Sequence, residues 1–129
     1  MKTITAEWVR LARTDLRVAA AILGIGEPAN TVYHLQQALE KALKAVLAEG
    51  VPEPPPRTHN LVRLAELAGV WDALEATQQD LLVRVDPYVV EGRYGGTEPQ
   101  LAPSLTLTDA ETLLREVGEL VECLLAELK

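Results

Sequence analysis

The segment Arg57-Thr58-His59 brings a guanidinium, a hydroxyl and an imidazole together on three successive residues. It follows the proline-rich run Pro52-Glu53-Pro54-Pro55-Pro56 and directly precedes a predicted helix that starts near Asn60. Backbone amides and the helix dipole favour anions at a helix N-terminus. The segment therefore predicts a phosphate-binding group. The alternative is structural, with Thr58 or Asn60 capping the helix and His59 fastening the proline-rich loop to the protein.

A second group of polar side chains lies within one predicted helix and comprises Gln36, Gln37, Glu40, Lys41 and Lys44. Amides of this kind can hydrogen-bond a nucleobase, and lysine ammonium groups can bind phosphate. The alternative is a solvated helix face with one ion pair between Glu40 and Lys44. Such a pair, four residues apart in this order, contributes about 0.2–0.5 kcal/mol when exposed.

The pair Arg93-Tyr94 is a third candidate, because it lies in a Gly- and Pro-rich stretch between Tyr88 and Leu107. Loops of that length in compact domains are usually functional, form an interface or are disordered.

A lone histidine is more often structural than catalytic, so His34 is interpreted as a structural or surface residue. The chain has no Walker loop, Gly-x-Gly-x-x-Gly, HExxH, EF-hand or nucleophile-elbow sequence. We therefore predict neither a metal site nor a cofactor.

Apolar residues recur at three- and four-residue steps and predict an all-α, up-and-down bundle of four to five helices. The predicted helices cover about 5–23, 28–49, 60–67, 73–85 and 108–128. The proline-rich run connects the second helix to the third, and the pieces on either side are too short for separate cores. The whole chain, 1–129, is therefore expected to be one domain. Thr108 and Glu111 match a capping box at the start of the last helix.

Composition narrows the class of protein without revealing its chemistry. The 129 residues carry a net charge of −7, with a pI near 4.8, which argues against broad nucleic-acid coating but not against a small basic site. Cys123 cannot form an internal disulfide, and a core position is predicted for it. Apolar runs are far shorter than the ~20 residues of a membrane span. A cytoplasmic location is expected.

Three stretches together resemble the HEPN domain family, small prokaryotic helical proteins proposed to bind nucleotides. They are Trp8-x6-Asp15-Leu16, the run from Leu35 to Ala45 that reads LQQALEKALKA, and Thr58-His59-Asn60-Leu61. Arg93-Tyr94 is similar to an Arg-Tyr-Pro segment of many members, with Gly95 in place of the proline. The resemblance implies a helical homodimer. It also implies partnership with a small nucleotidyltransferase, in toxin–antitoxin or substrate-binding systems.

The leading hypothesis is a binding module for a nucleotide or an RNA end. In this hypothesis Lys44 and Arg57 bind the phosphate, and Gln37 and Tyr94 contact the base or the sugar. The alternative is a metal-independent RNase in which His59 is the acid or base and Arg57 or Arg93 the electrostatic partner. RNase members of the family carry Arg, four to six residues, then His on a late helix. Neither histidine here follows an arginine at that spacing, since Arg57 lies only two residues before His59. The binding hypothesis is therefore preferred.

Overall fold

The computed structural model describes residues 1–88 and 105–128, and this part of the chain is helical with no strand. Its helices are α1 (Thr3–Gly24), α2 (Pro28–Gly50), α3 (Leu61–Leu67), α4 (Ala76–Val85) and α5 (Leu107–Leu125), with a 3-10 turn at Trp71–Ala73. The predicted all-α bundle is confirmed. Among the described residues, no helix is both long and apolar enough to cross a membrane.

Helices α1 and α2 form an antiparallel hairpin that is closed at both ends. Gly26 turns the chain between them at a φ of 81°, a left-handed conformation that glycine adopts without a Cβ penalty. At the opposite end of the hairpin, the Lys2 backbone N–H and the Thr5 hydroxyl donate to Glu49 Oε1 at 3.0 and 2.9 Å. These hydrogen bonds hold the pKa of the Glu49 carboxyl below its ordinary value.

Helix α2 is the central element of the bundle. It packs against α1 on one side and against α5, α3 and α4 on the others. Its leucines Leu35, Leu39 and Leu43 are fully buried among apolar residues of the surrounding helices. Because other helices surround α2, some of its polar side chains are buried as well. The candidate site is built from these buried polar residues.

Three sequence predictions differ from the structure. Helix α4 begins at Ala76 rather than Ala73, because Ala73 belongs to the 3-10 turn and Glu75 caps the helix with Gln78. Cys123 is exposed rather than in the core.

The capping box of α5 lies two residues earlier than predicted: the Thr106 hydroxyl accepts the Asp109 N–H at 3.0 Å, and Asp109 accepts the Thr106 N–H at 3.1 Å. Both registers satisfy the sequence pattern, so the pattern alone cannot choose between them.

This register gives a stability prediction with a built-in control. Thr106→Ala removes the acceptor for a free N–H of α5 and is expected to lower the free energy of unfolding by about 0.5–2 kcal/mol. Thr108→Ala replaces an exposed threonine within the helix and is expected to change it by less than about 0.5 kcal/mol. Urea unfolding followed by circular dichroism measures both. A larger loss in Thr108→Ala would contradict the observed register.

Candidate functional site

Two polar clusters include side chains of α2, and each is built around one carboxylate. In the Glu40 cluster (Glu40, Lys44 and His59), Glu40 Oε1 lies 2.9 Å from His59 Nδ1, and Oε2 accepts from Lys44 Nζ at 2.8 Å. The Glu40 and Lys44 side chains are only 5% and 9% exposed, whereas that of His59 is 48% exposed. The predicted ion pair therefore exists, but it is buried rather than solvated.

The ion pair between Glu40 and Lys44 is buried because Trp8 and His59 lie against it. His59 reaches Glu40 from the connector, and the Lys44 ammonium lies 5.6 Å from the centre of the Trp8 ring on α1, within cation–π range. The Trp8 indole nitrogen is buried and has no hydrogen-bond partner among the described residues. An aromatic ring and an imidazole thus replace the water that would surround an exposed pair.

The position of His59 is fixed from two directions. Gln36, which is fully buried, donates its amide to the His59 carbonyl at 3.0 Å, while its own Oε1 accepts from Gln37 at 2.8 Å. With Nδ1 held against Glu40, Nε2 is the ring nitrogen left for a ligand, and it has no hydrogen bond to any described residue. A carboxylate on one imidazole nitrogen fixes the tautomer and orients the other.

The structure separates the remaining predicted residues from this cluster in different ways. Lys41 donates to Asp15 on α1 and not to Glu40. Arg57 is exposed and makes no hydrogen bond or ion pair within residues 1–88 and 105–128. The Thr58 hydroxyl accepts the Asn60 N–H at 3.1 Å, a local turn contact. Arg93 and Tyr94 lie outside the described residues.

The N-terminus of α3 is occupied by the protein's own acceptors. Asn60 caps the helix by accepting the Arg63 N–H at 2.8 Å, as one of the two predicted caps. The Leu61 N–H donates to Asp86 at 2.8 Å, from the residue that follows α4. Two of the backbone amides in the first turn of α3, those of Leu61 and Arg63, are therefore already bonded within the protein and are not free to bind an anion.

The Asp15 cluster (Asp15, His34 and Lys41) was not predicted as a site. Asp15 on α1 lies 3.2 Å from His34 Nδ1 through one oxygen and accepts from Lys41 Nζ at 2.6 Å through the other. The Asp15 side chain is 11% exposed. One sequence signal was present: an aspartate falls on the buried stripe of α1 that also contains Ala12 and Ala19. A buried carboxylate requires a partner.

A family model for the HEPN domain matches residues 5–128, nearly the whole chain. The chain belongs to the HEPN family. The crystal structure of TT1696 from Thermus thermophilus is similar to this HEPN domain with a TM-score of 0.79 and 27% identity, covering 98% of this chain and 100% of TT1696. No curated protein matches the sequence.

Family membership supports a nucleotide- or RNA-related function in general terms. Within this HEPN domain, the Glu40 cluster contains the most exposed of the bound imidazoles, with the guanidinium of Arg57 two residues before it in the chain. No group of three or more His, Cys, Asp or Glu residues in the described part is arranged to hold a metal ion. The chemistry open to the cluster is contact with an anion or transfer of a proton at His59 Nε2.

Proposed function

We propose that this HEPN domain binds the phosphate of a nucleotide or of an RNA end at His59 and Arg57. The observation that carries the proposal is the double anchoring of His59, through Nδ1 to Glu40 and through its carbonyl to Gln36. A preordered imidazole loses little conformational freedom when a ligand binds. Arg57 adds a permanently charged planar donor suited to phosphate.

The arrangement also changes the roles proposed for the lysines. Lys44 is buried, and its ammonium is already paired with Glu40, so phosphate would have to break that pair to reach it. Lys41 is likewise paired with Asp15. In this proposal the lysines neutralise the two carboxylates, and phosphate contact falls to Arg57 and His59. We propose that Gln37, which is half-buried on α2, and Tyr94 contact the base or the sugar.

The proposal is tested by titration with ATP, GTP and a 5′-phosphorylated RNA oligonucleotide. Calorimetry and thermal unfolding should show binding, since a ligand at 100 times its Kd stabilises the folded state by about 2.7 kcal/mol. Arg57→Ala and His59→Ala should each weaken binding about tenfold or more, while Arg115→Ala on α5 should not. The absence of heat and of a thermal shift near millimolar ligand would reject the proposal.

The wider biological role is also a proposal. We propose that the domain acts as a homodimer with a small nucleotidyltransferase, in a toxin–antitoxin or substrate-binding system, as the family resemblance implies. A light-scattering mass equal to one chain of 14.1 kDa would remove the homodimer from this proposal.

A second candidate function is RNA cleavage with His59 as the acid or base. The contact between Glu40 and His59 favours it, because a carboxylate that holds one imidazole nitrogen leaves the other oriented for proton transfer. In this candidate function His59 Nε2 takes or gives the proton, and His59→Ala should nearly abolish cleavage of RNA in EDTA.

A further inference from the structure

A groove lies between α5 and the segment that contains the 3-10 turn and α4. It has two parts, which share Gln78 as a lining residue. Along α5 the lining extends from Arg115 to Leu124, about 14 Å at 1.5 Å per residue, and Glu127 and Leu128 continue it past the end of the helix. The groove is open because α4 contacts α5 only sparsely, whereas α5 packs chiefly on α2.

One part of the groove is apolar. Its cavity of about 280 Å³ is lined chiefly by the side chains of Val46, Val70, Ala73, Leu74, Leu124 and Leu128. Val70, Leu74 and Leu128 pack against the core but are only partly buried. Apolar side chains of a partner that cover them would remove this surface from water, which favours association.

The other part of the groove is acidic. Its cavity, of about 240 Å³, is lined by three glutamates, Glu75, Glu116 and Glu119. Arg84 reaches Glu116 at 3.4 Å, and Arg115 reaches Glu119 at 3.6 Å. Ion pairs between side chains that solvent reaches contribute little to stability, so cations of a partner can compete for these carboxylates. Glu127 adds an exposed carboxylate at the apolar end.

The apolar floor and the carboxylates together select the chemistry of a partner. Carboxylates repel the phosphates of nucleic acids and of anionic lipids, and they attract lysine and arginine. Amphipathic helices bind apolar grooves by placing side chains that lie three and four residues apart against the floor. A helix that also carries cations beside its apolar stripe brings them to the carboxylates of this groove.

We propose that the groove binds a basic amphipathic helix of a partner protein. Apolar side chains of the helix pack on Val70, Leu74 and Leu128, and its lysines or arginines pair with Glu119 and Glu127. The groove shares no lining residue with the Glu40 cluster or the Asp15 cluster. The inference is therefore independent of the proposed nucleotide binding.

A second copy of this chain is a poorer source of such a helix. Among the described helices, α1 is the one with several exposed arginines, Arg10, Arg13 and Arg17. Arg10 is already paired with Glu7, and Arg13 with Glu122. A separate protein is thus the better match, and self-association is measured as an outcome of the test.

Cys123 provides the readout of binding, because it is the only cysteine of the chain, is exposed and lines the apolar part of the groove. The probe is a synthetic leucine–lysine peptide of about 14 residues, with its leucines on one helical face. Saturating peptide should slow the reaction of the Cys123 thiol with Ellman's reagent at least about tenfold, because little free protein remains. A peptide with glutamate for every lysine, and a scrambled peptide without an apolar face, should leave the rate unchanged.

Paired charge variants locate the binding on the protein. Glu119→Lys combined with Glu127→Lys turns two attractions into repulsions and should raise the Kd for the peptide about tenfold or more, measured by calorimetry. Glu53→Lys combined with Glu111→Lys changes the net charge equally at exposed positions outside the groove. At physiological ionic strength this second pair should leave the Kd within about twofold of wild type, because salt screens distant charges. Circular dichroism checks that both double variants are folded.

Three results would overturn the inference. The first is a leucine–lysine peptide that fails to bind or that leaves Cys123 fully reactive. The second is equal affinity for the peptide in the two double variants. The third is protection of the Cys123 thiol that grows with the concentration of wild type alone and is lost in the Glu119 and Glu127 double variant, which would assign the groove to a second copy of the chain.

Discussion

Glu40→Ala is expected to lower the free energy of unfolding by about 3–5 kcal/mol, because it leaves the buried Lys44 ammonium without its carboxylate. The Glu40 and Lys44 side chains are 5% and 9% exposed, so water cannot easily replace the lost oxygen. His59 Nδ1 loses its acceptor in the same substitution. Urea unfolding followed by circular dichroism measures the change as a shift in midpoint at constant slope.

A second substitution distinguishes an unpaired charge from a lost contact. Glu40→Ala combined with Lys44→Met removes both charges and keeps an apolar chain beside Trp8, so much of the lost stability should return. Asp15→Ala should cost less than Glu40→Ala, since the Lys41 side chain is 23% exposed and its ammonium can turn to solvent. A cost below about 1 kcal/mol for Glu40→Ala would show that Lys44 reaches water despite its burial.

The helices were predictable because they depend on local periodicity. Leu35, Leu39 and Leu43 follow the spacing of a buried stripe, and all three are fully buried. The ends of helices were less predictable, because Thr106 and Thr108 satisfy the same capping pattern. In the structure the cap is Thr106, which exchanges hydrogen bonds with Asp109.

The site was only partly predictable because its contacts join different elements. The spacing of Glu40 and Lys44 predicts their pairing but not the burial that Trp8 and His59 impose. Nothing in the local sequence shows that Asp15 meets Lys41, since that contact depends on how α1 lies against α2. An aspartate on a buried stripe was the available signal, and it indicates a partner without identifying it.

Gln36→Leu is expected to lower the free energy of unfolding by about 1–3 kcal/mol and to weaken nucleotide binding as well. Leucine fills a similar volume, but it leaves the part-buried His59 carbonyl without its 3.0 Å donor and Gln37 without its acceptor. His59 is then held by Glu40 alone. We expect the Kd for ATP or for the phosphorylated RNA, whichever binds wild type, to rise about tenfold, equivalent to about 1.4 kcal/mol.

Gln79→Leu is the matched control for this prediction. Gln79 donates its amide to the Trp71 carbonyl at 2.8 Å, so the same substitution removes the same kind of side chain-to-backbone bond away from the Glu40 cluster. Both variants should lose stability, measured by urea unfolding, but only Gln36→Leu should lose affinity, measured by calorimetry well below the melting temperature. Equal affinities in the two variants would mean that Gln36 stabilises the fold without positioning His59.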